Sequence, residues 1–134
     1  MASYRRYRKL RVLIADDSAQ IRLRLAAMLD SIDGVEVVGD AESMQGALAA
    51  ITELKPDLVI LDLHLPDGSG FNVLEQVQAE RPGLKVIVLT NYPLPAYRDR
   101  CGDLGTEHFF DKSTEFAQAV ELVRQLAVGL DRQE

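Results

Sequence analysis

The sequence predicts an α/β fold, a doubly wound parallel sheet, and three observations carry that prediction. Five short apolar runs alternate with five segments whose apolar residues recur at helical spacing. The third run, Leu58-Val59-Ile60-Leu61, is apolar without interruption, as expected of a strand buried on both faces beneath helices. The connections are short, and right-handed crossovers then leave few ways to arrange the strands.

Residues 11–15 form the first strand, stopped by Asp16-Asp17. Ser18 is placed to cap the first helix, in which Ile21, Leu25, Met28, Leu29 and Ile32 share a face and Gly34 ends the run. Residues 35–39 are a second strand. Met44, Ala47, Leu48 and Ile51 mark a second helix, closed by Pro56. Leu58–Leu61 is the third strand. Asp67 is expected to cap a third helix, with Phe71, Leu74 and Val77 inward and Arg81-Pro82-Gly83 as its stop. Residues 85–89 are strand four, leading into Thr90-Asn91. Tyr92-Pro93-Leu94-Pro95 cannot be early helix interior, which shortens the fourth helix to roughly 96–104. Residues 107–110 make a brief fifth strand. Ser113 or Thr114 starts the last helix, whose stripe is Phe116, Val120, Val123, Ala127 and Leu130. This is the flavodoxin-like (βα)5 arrangement with strand order 2-1-3-4-5, and its switch point lies between strands one and three.

A chain of 134 residues, 47% hydrophobic and 27% charged, suits one compact domain with a real core. No apolar run is long enough to span a bilayer, and no secretory signal follows the basic N-terminus. The single cysteine, Cys101, forbids an intrachain disulfide and suits a reducing, cytoplasmic setting. The net charge of −6 is unevenly spread: Arg5, Arg6, Arg8, Lys9 and Arg11 crowd the first eleven residues. They leave ten basic against 21 acidic residues, about −11, on the body. Such a body is a poor nucleic-acid surface. Residues 1–8 read as a flexible basic extension and 9–134 as the domain proper.

The chemistry gathers at strand ends. Asp16 and Asp17 end strand one, and Asp62 ends strand three beside it. Three carboxylates in one crevice repel, so their pKa values rise or a cation neutralises them. Hard oxygen donors suit Mg²⁺ better than Zn²⁺. A helix cap with favourable charge at the helix N-terminus explains one of these acids, or two, but not the third. Thr90 at the end of strand four offers a hydroxyl, and Lys112 after strand five an ammonium.

The pattern Asp16-Asp17, then Asp62 with Pro66 and Gly70 in D-x-x-x-P-x-x-x-G, then Thr90, then Lys112, resembles the receiver domain of two-component response regulators. The resemblance covers roughly residues 9–130. It implies that Asp62 accepts a phosphoryl group from the phosphohistidine of a kinase or phosphotransfer protein. It implies that Asp17, Asp62 and the backbone carbonyl of His64 hold Mg²⁺, with Asp16 acting through water. Thr90 and Lys112 then complete the phosphoryl cradle. Thr90 and Phe109, three residues before the lysine, are the expected switch pair that changes partner preference. Gln20, Arg22 and Arg24 on helix one form, by resemblance, the kinase-docking surface. Partners are therefore a kinase or phosphotransfer protein and a downstream protein, with a homodimer open and neither nucleic acid nor membrane bound directly. Asn91-Tyr92 and Phe110-Asp111-Lys112-Ser113 are similar to receivers that precede LuxR-type DNA-binding domains, yet no output domain is visible. Ser113 stands where many receivers carry proline, and Tyr92-Pro93-Leu94-Pro95 stiffens the loop after Thr90.

The leading expectation is thus a single-domain signalling phosphoacceptor rather than an enzyme. A Mg²⁺-dependent phosphohydrolase using an aspartyl-phosphate is the alternative, but His64 stands where such enzymes carry a second aspartate. An inert receiver-like binding module is the third reading. His64 is expected to point its imidazole outward, and His108 to be structural or exposed.

Overall fold

The structure, a computed structural model, describes residues 8–132. In chain order its strands are β1 (Leu10–Ala15), β2 (Val35–Ala41), β3 (Leu58–Leu61), β4 (His64–Leu65), β5 (Gly68–Ser69), β6 (Lys85–Thr90) and β7 (His108–Asp111). The helices are α1 (Ala19–Asp30), α2 (Met44–Leu54), α3 (Gly70–Glu80), α4 (Pro95–Asp103) and α5 (Phe116–Arg132). The main sheet is parallel throughout, in the order β2-β1-β3-β6-β7. With the small hairpin β4–β5 set aside, this is the predicted order. Residues 1–7, and with them nearly all of the expected basic extension, lie outside the described residues. Arg8 is held by Asp57 at 2.7 Å.

Alternation along the strands divides the core in two. Leu13, Ala15, Val59, Leu61, Val86 and Val88 face α2, α3 and α4, meeting Ala47, Ile51, Phe71, Leu74, Val77 and Cys101. Val12, Ile14, Leu58, Ile60, Ile87 and Leu89 face α1 and α5, meeting Leu25, Leu29, Phe116, Ala119, Val123 and Ala127. Each fully buried Leu or Ile here contributes about 1.5–3 kcal/mol.

Several boundaries differ from expectation, each for a local reason. β2 runs on to Ala41 because an irregularity between Val12 and Leu13 restores its pairing with β1, Ile14 to Asp40 and Ala15 to Ala41. The turn after Asp62 closes as the two-residue antiparallel hairpin β4–β5. Asp67 does not cap α3. That helix starts on Ser69, whose hydroxyl accepts from Phe71 N–H in a capping box with Asn72. α5 begins at Phe116 rather than at residue 113 or 114. Asp111 Oδ1 captures the Ser113 N–H and hydroxyl, and Glu115 Oε1 accepts from Asp111 N–H, so these residues form a self-bonded turn first. Ser18 caps α1 as expected, accepting from Ile21 N–H at 3.3 Å.

Candidate functional site

The carboxyl ends of β1, β3, β6 and β7 meet over one open crevice of about 460 Å³. Parallel pairing sets this up: Ala15 lies beside Leu61, Leu61 beside Val88, and Thr90 beside Asp111. The residues just past those ends, Asp16, Asp62 and Lys112, therefore converge. A larger groove of about 650 Å³ runs between Leu84 and Leu130 elsewhere on the chain. Its one carboxylate among the described residues, Asp57, is already bound by Arg8, which leaves the acid cluster in the smaller crevice as the candidate site.

One Lys112 ammonium joins two acids. Its Nζ donates to Asp16 Oδ2 at 2.6 Å and to Asp62 Oδ2 at 3.0 Å, and all three side chains are buried. Asp16 is otherwise filled: Oδ1 accepts from Ser18 N–H at 2.8 Å, and its N–H donates to the Ala41 carbonyl. Asp62 Oδ1 accepts from His64 N–H at 3.3 Å. Asp17 is exposed and has no hydrogen-bond partner among the described residues. Carboxylate oxygens of Asp16, Asp17 and Asp62 all lie within 4.8 Å of one another. An all-oxygen set with one ligand free and open to water fits a hard divalent cation such as Mg²⁺.

The electrostatics follow from the burial. Loss of solvent pushes the Asp62 carboxyl above its ordinary value, the Lys112 charge and hydrogen bond pull it back, and the Asp16 charge adds to the rise. The net direction is upward. For Lys112 burial presses the ammonium down, but the hydrogen bonds and charges of Asp16 and Asp62 together outweigh it. Lys112 is held charged between two acids.

The turn after Asp62 is shaped by one glycine. A Cβ on Gly70 would lie 2.6 Å from the Asp62 carbonyl oxygen and 2.8 Å from Leu63 Cα, so a side chain cannot be accommodated there without backbone movement. Gly70 N–H donates to the Leu63 carbonyl, closing the turn.

The other predicted residues take definite places. Thr90 is wholly buried, and its hydroxyl oxygen accepts from Tyr92 N–H at 3.2 Å, leaving the hydroxyl proton to donate. Phe109 is buried in the core. Above its ring sits the Arg98 guanidinium at 4.6 Å, which also donates to the Phe109 carbonyl. His64 is exposed and its ring meets that of Tyr92 at a tilt of 52°, centroids 4.1 Å apart, so both rings stand at the lip of the crevice. His108 is half-buried. Of the three α1 residues expected to form a docking surface, Gln20 and Arg24 are exposed, Arg24 with its guanidinium over Phe116 at 4.2 Å, while Arg22 is turned inward.

Arg22, Arg98 and Asp67 take part in this architecture although sequence reasoning gave them no such role. For Arg22 a signal existed: a cation in the opening turns of a helix lies at the unfavourable pole. For Asp67 and Arg98 none did, because their partners lie 22 or 23 and 11 residues away.

A five-stranded parallel sheet with buried acids and a bridging lysine at its carboxyl edge defines a receiver. The family model of the response regulator receiver domain matches residues 12–124. The chain belongs to that family, the signalling phosphoacceptors of two-component systems. Over 116 residues it is 32% identical to the response regulator protein VraR of Staphylococcus saprophyticus, covering 87% of this chain and 56% of that protein. The chain thus spans about half the length of the curated relatives it matches. The receiver domain of the putative response regulator NarL of Mycobacterium tuberculosis superposes with a TM-score of 0.82 at 27% identity, covering 91% of this chain and 98% of that one. The isolated receiver of RcsB from Salmonella enterica serovar Typhimurium, solved in the presence of the phosphomimetic BeF3−, gives 0.78 at 27% identity, covering 87% and 89%. Among the described residues no helix is long and apolar enough to cross a membrane.

Proposed function

We propose that Asp62 is the phosphoacceptor of this receiver. Its carboxylate oxygen attacks the phosphorus of a phosphohistidine on a kinase or phosphotransfer protein. The phosphorus–nitrogen bond breaks, and its electron pair stays on the imidazole. The observation that carries the reading is the Lys112 bridge between Asp16 and Asp62, beside an exposed Asp17 whose carboxylate lies within reach of both acids.

Asp17, Asp62 and the backbone carbonyl of His64 would hold Mg²⁺ directly, with Asp16 acting through water. When bound, Mg²⁺ neutralises charge on the transferring phosphoryl group. Lys112, released from Asp62, pairs with the new phosphoryl oxygens, and the free Thr90 hydroxyl proton donates to another. His64 and Tyr92, in tilted ring contact at the lip, govern water access and hence the lifetime of the phosphoryl group. Thr90 and Phe109 act as the switch pair, biasing a two-state equilibrium that a downstream protein reads, with a homodimer among the possible outputs. Residues 9–134 act as the domain. A reducing, cytoplasmic setting suits the free thiol of Cys101.

The test is incubation with a small phosphodonor and Mg²⁺, followed by intact-protein mass. The parent gains one phosphoryl group and Asp62→Ala gains none. Equal labelling of the two proteins would sink the assignment, and steady turnover of a phosphate ester would favour a phosphohydrolase.

A further inference from the structure

We infer that Arg22 is a positioning residue for the acid pair: its guanidinium fork holds the main-chain carbonyl of Asp16 and so sets the direction of the Asp17 carboxylate. The inference rests on the reading of the site given above and deepens it.

Residue 22 breaks a local rule. A helix carries partial positive charge at its N-terminus, so a cation in its opening turns is unfavourable. Arg22 is the fourth residue of α1, and no acid lies in the first turn of that helix. An arginine at such a place ordinarily extends into water. This side chain is instead only 15% exposed and folds back over the helix start. Its Nη1 donates to the Asp16 carbonyl at 2.7 Å, Nε donates to Asp40 Oδ2 at 3.3 Å, and Nη2 faces Glu42 Oε2 at 3.7 Å. One planar group thereby ties the end of β1 to the end of β2.

The held carbonyl belongs to the rigid peptide plane that runs through the Asp17 nitrogen to Asp17 Cα. Every other polar group of Asp16 is engaged already, by Ala41, Ser18 and Lys112. Arg22 completes the set and stops that plane from rotating. Among the described residues Asp17 has no side-chain partner to aim it, so there its carboxylate takes its direction from the backbone. Outer contacts that orient a ligand in this way are typically worth about 10–100-fold in metal affinity.

Charge alone predicts the opposite sign. A guanidinium close to the acids repels a divalent cation, so its removal by itself tightens binding. Position and charge can therefore be separated.

Mg²⁺ is titrated calorimetrically into the parent, Arg22→Met, Arg22→Lys and Asp40→Asn, with thermal melts confirming that each is folded at the titration temperature. Arg22→Met is expected to bind Mg²⁺ about tenfold more weakly, the low end of the range for lost outer contacts. Arg22→Lys is also weaker than the parent although its charge is kept, because an ammonium lacks the fork that spans the carbonyl and two acids. Asp40→Asn stays within about twofold, since the fork still grips the carbonyl. Parent-like affinity in Arg22→Lys, tighter binding in Arg22→Met, or a loss in Asp40→Asn as large as in Arg22→Met overturns the inference. Should Arg22→Met not fold, Arg22→Lys decides it alone. Failure of the parent to bind Mg²⁺ overturns the phosphoacceptor reading together with this one; parent binding with unchanged variants overturns this one only.

Discussion

Asp67 Oδ1 accepts the backbone N–H of Met44 at 2.6 Å, while its Oδ2 accepts that of Gln45 at 3.0 Å. The loop that leaves β3 is thus bolted to the start of α2, two of whose four orphan donors it satisfies. Ser43 serves a third, Gly46 N–H, at 2.9 Å. An acid expected to cap its own helix caps a neighbour across space.

This bolt is pH-dependent. Hydrogen bonds from Gln45 and then Met44 hold the Asp67 carboxyl below its usual value of 3.8. A folded-state pKa below the unfolded one gives stability that is present above the unfolded value and is lost as pH falls through the folded value. Asp67→Ala should therefore melt below the parent at about pH 7, with the gap closing on acidification toward about pH 2. A gap that does not change with pH would show that the carboxylate is not the source.

Lys112→Met leaves Asp16 and Asp62 buried without their shared counter-charge. Removing one partner of a buried ion pair costs about 3–5 kcal/mol. Urea unfolding should show a loss of that order, partly recovered by millimolar Mg²⁺, which replaces the missing positive charge. If Mg²⁺ stabilises the parent as much as the variant, removal of Lys112 has left no unmet negative charge for it to repair.

Gly70→Ala drives a Cβ against the Asp62 carbonyl. Overpacking of this kind costs about 1–3 kcal/mol. The backbone that must move is that of Asp62 itself, so phosphorylation should slow along with the loss of stability. A melt and a labelling rate both matching the parent would contradict the contact.

Cys101 is fully buried on α4, and burial pushes its thiol up to about 11. The thiolate is the reactive form, so the native protein at about pH 8 should resist a disulfide exchange reagent and react only when unfolded. Rapid labelling in native buffer would mean that α4 opens on the timescale of the assay.

The five-stranded alternation, the strand order and the approach of Asp16, Asp17, Asp62 and Lys112 were legible without coordinates. Apolar periodicity sets which face each strand buries, and crossover handedness then sets which strands are neighbours. What stayed hidden was contact between segments far apart in the chain. Nothing local distinguishes an Asp67 that caps α3 from one that caps α2. Nothing near Phe109 announces the Arg98 guanidinium above its ring. The later start of α5 has a cause the spacing does not show: Asp111 accepts the Ser113 N–H and hydroxyl and Glu115 accepts the Asp111 N–H, which ties residues 111–115 into a turn before the helix.

By itself, then, the sequence determined the layered sheet and the set of functional groups at its carboxyl edge, since both follow from pattern along the chain. Only the tertiary structure decided how those groups are paired. Lys112 spans Asp16 and Asp62, Asp17 is left open, and Arg22 is drawn in from the helix surface to grip the Asp16 carbonyl. The reason is physical: a hydrogen bond depends on a few tenths of an ångström and on direction, and these are set by packing of the whole domain rather than by spacing in the sequence.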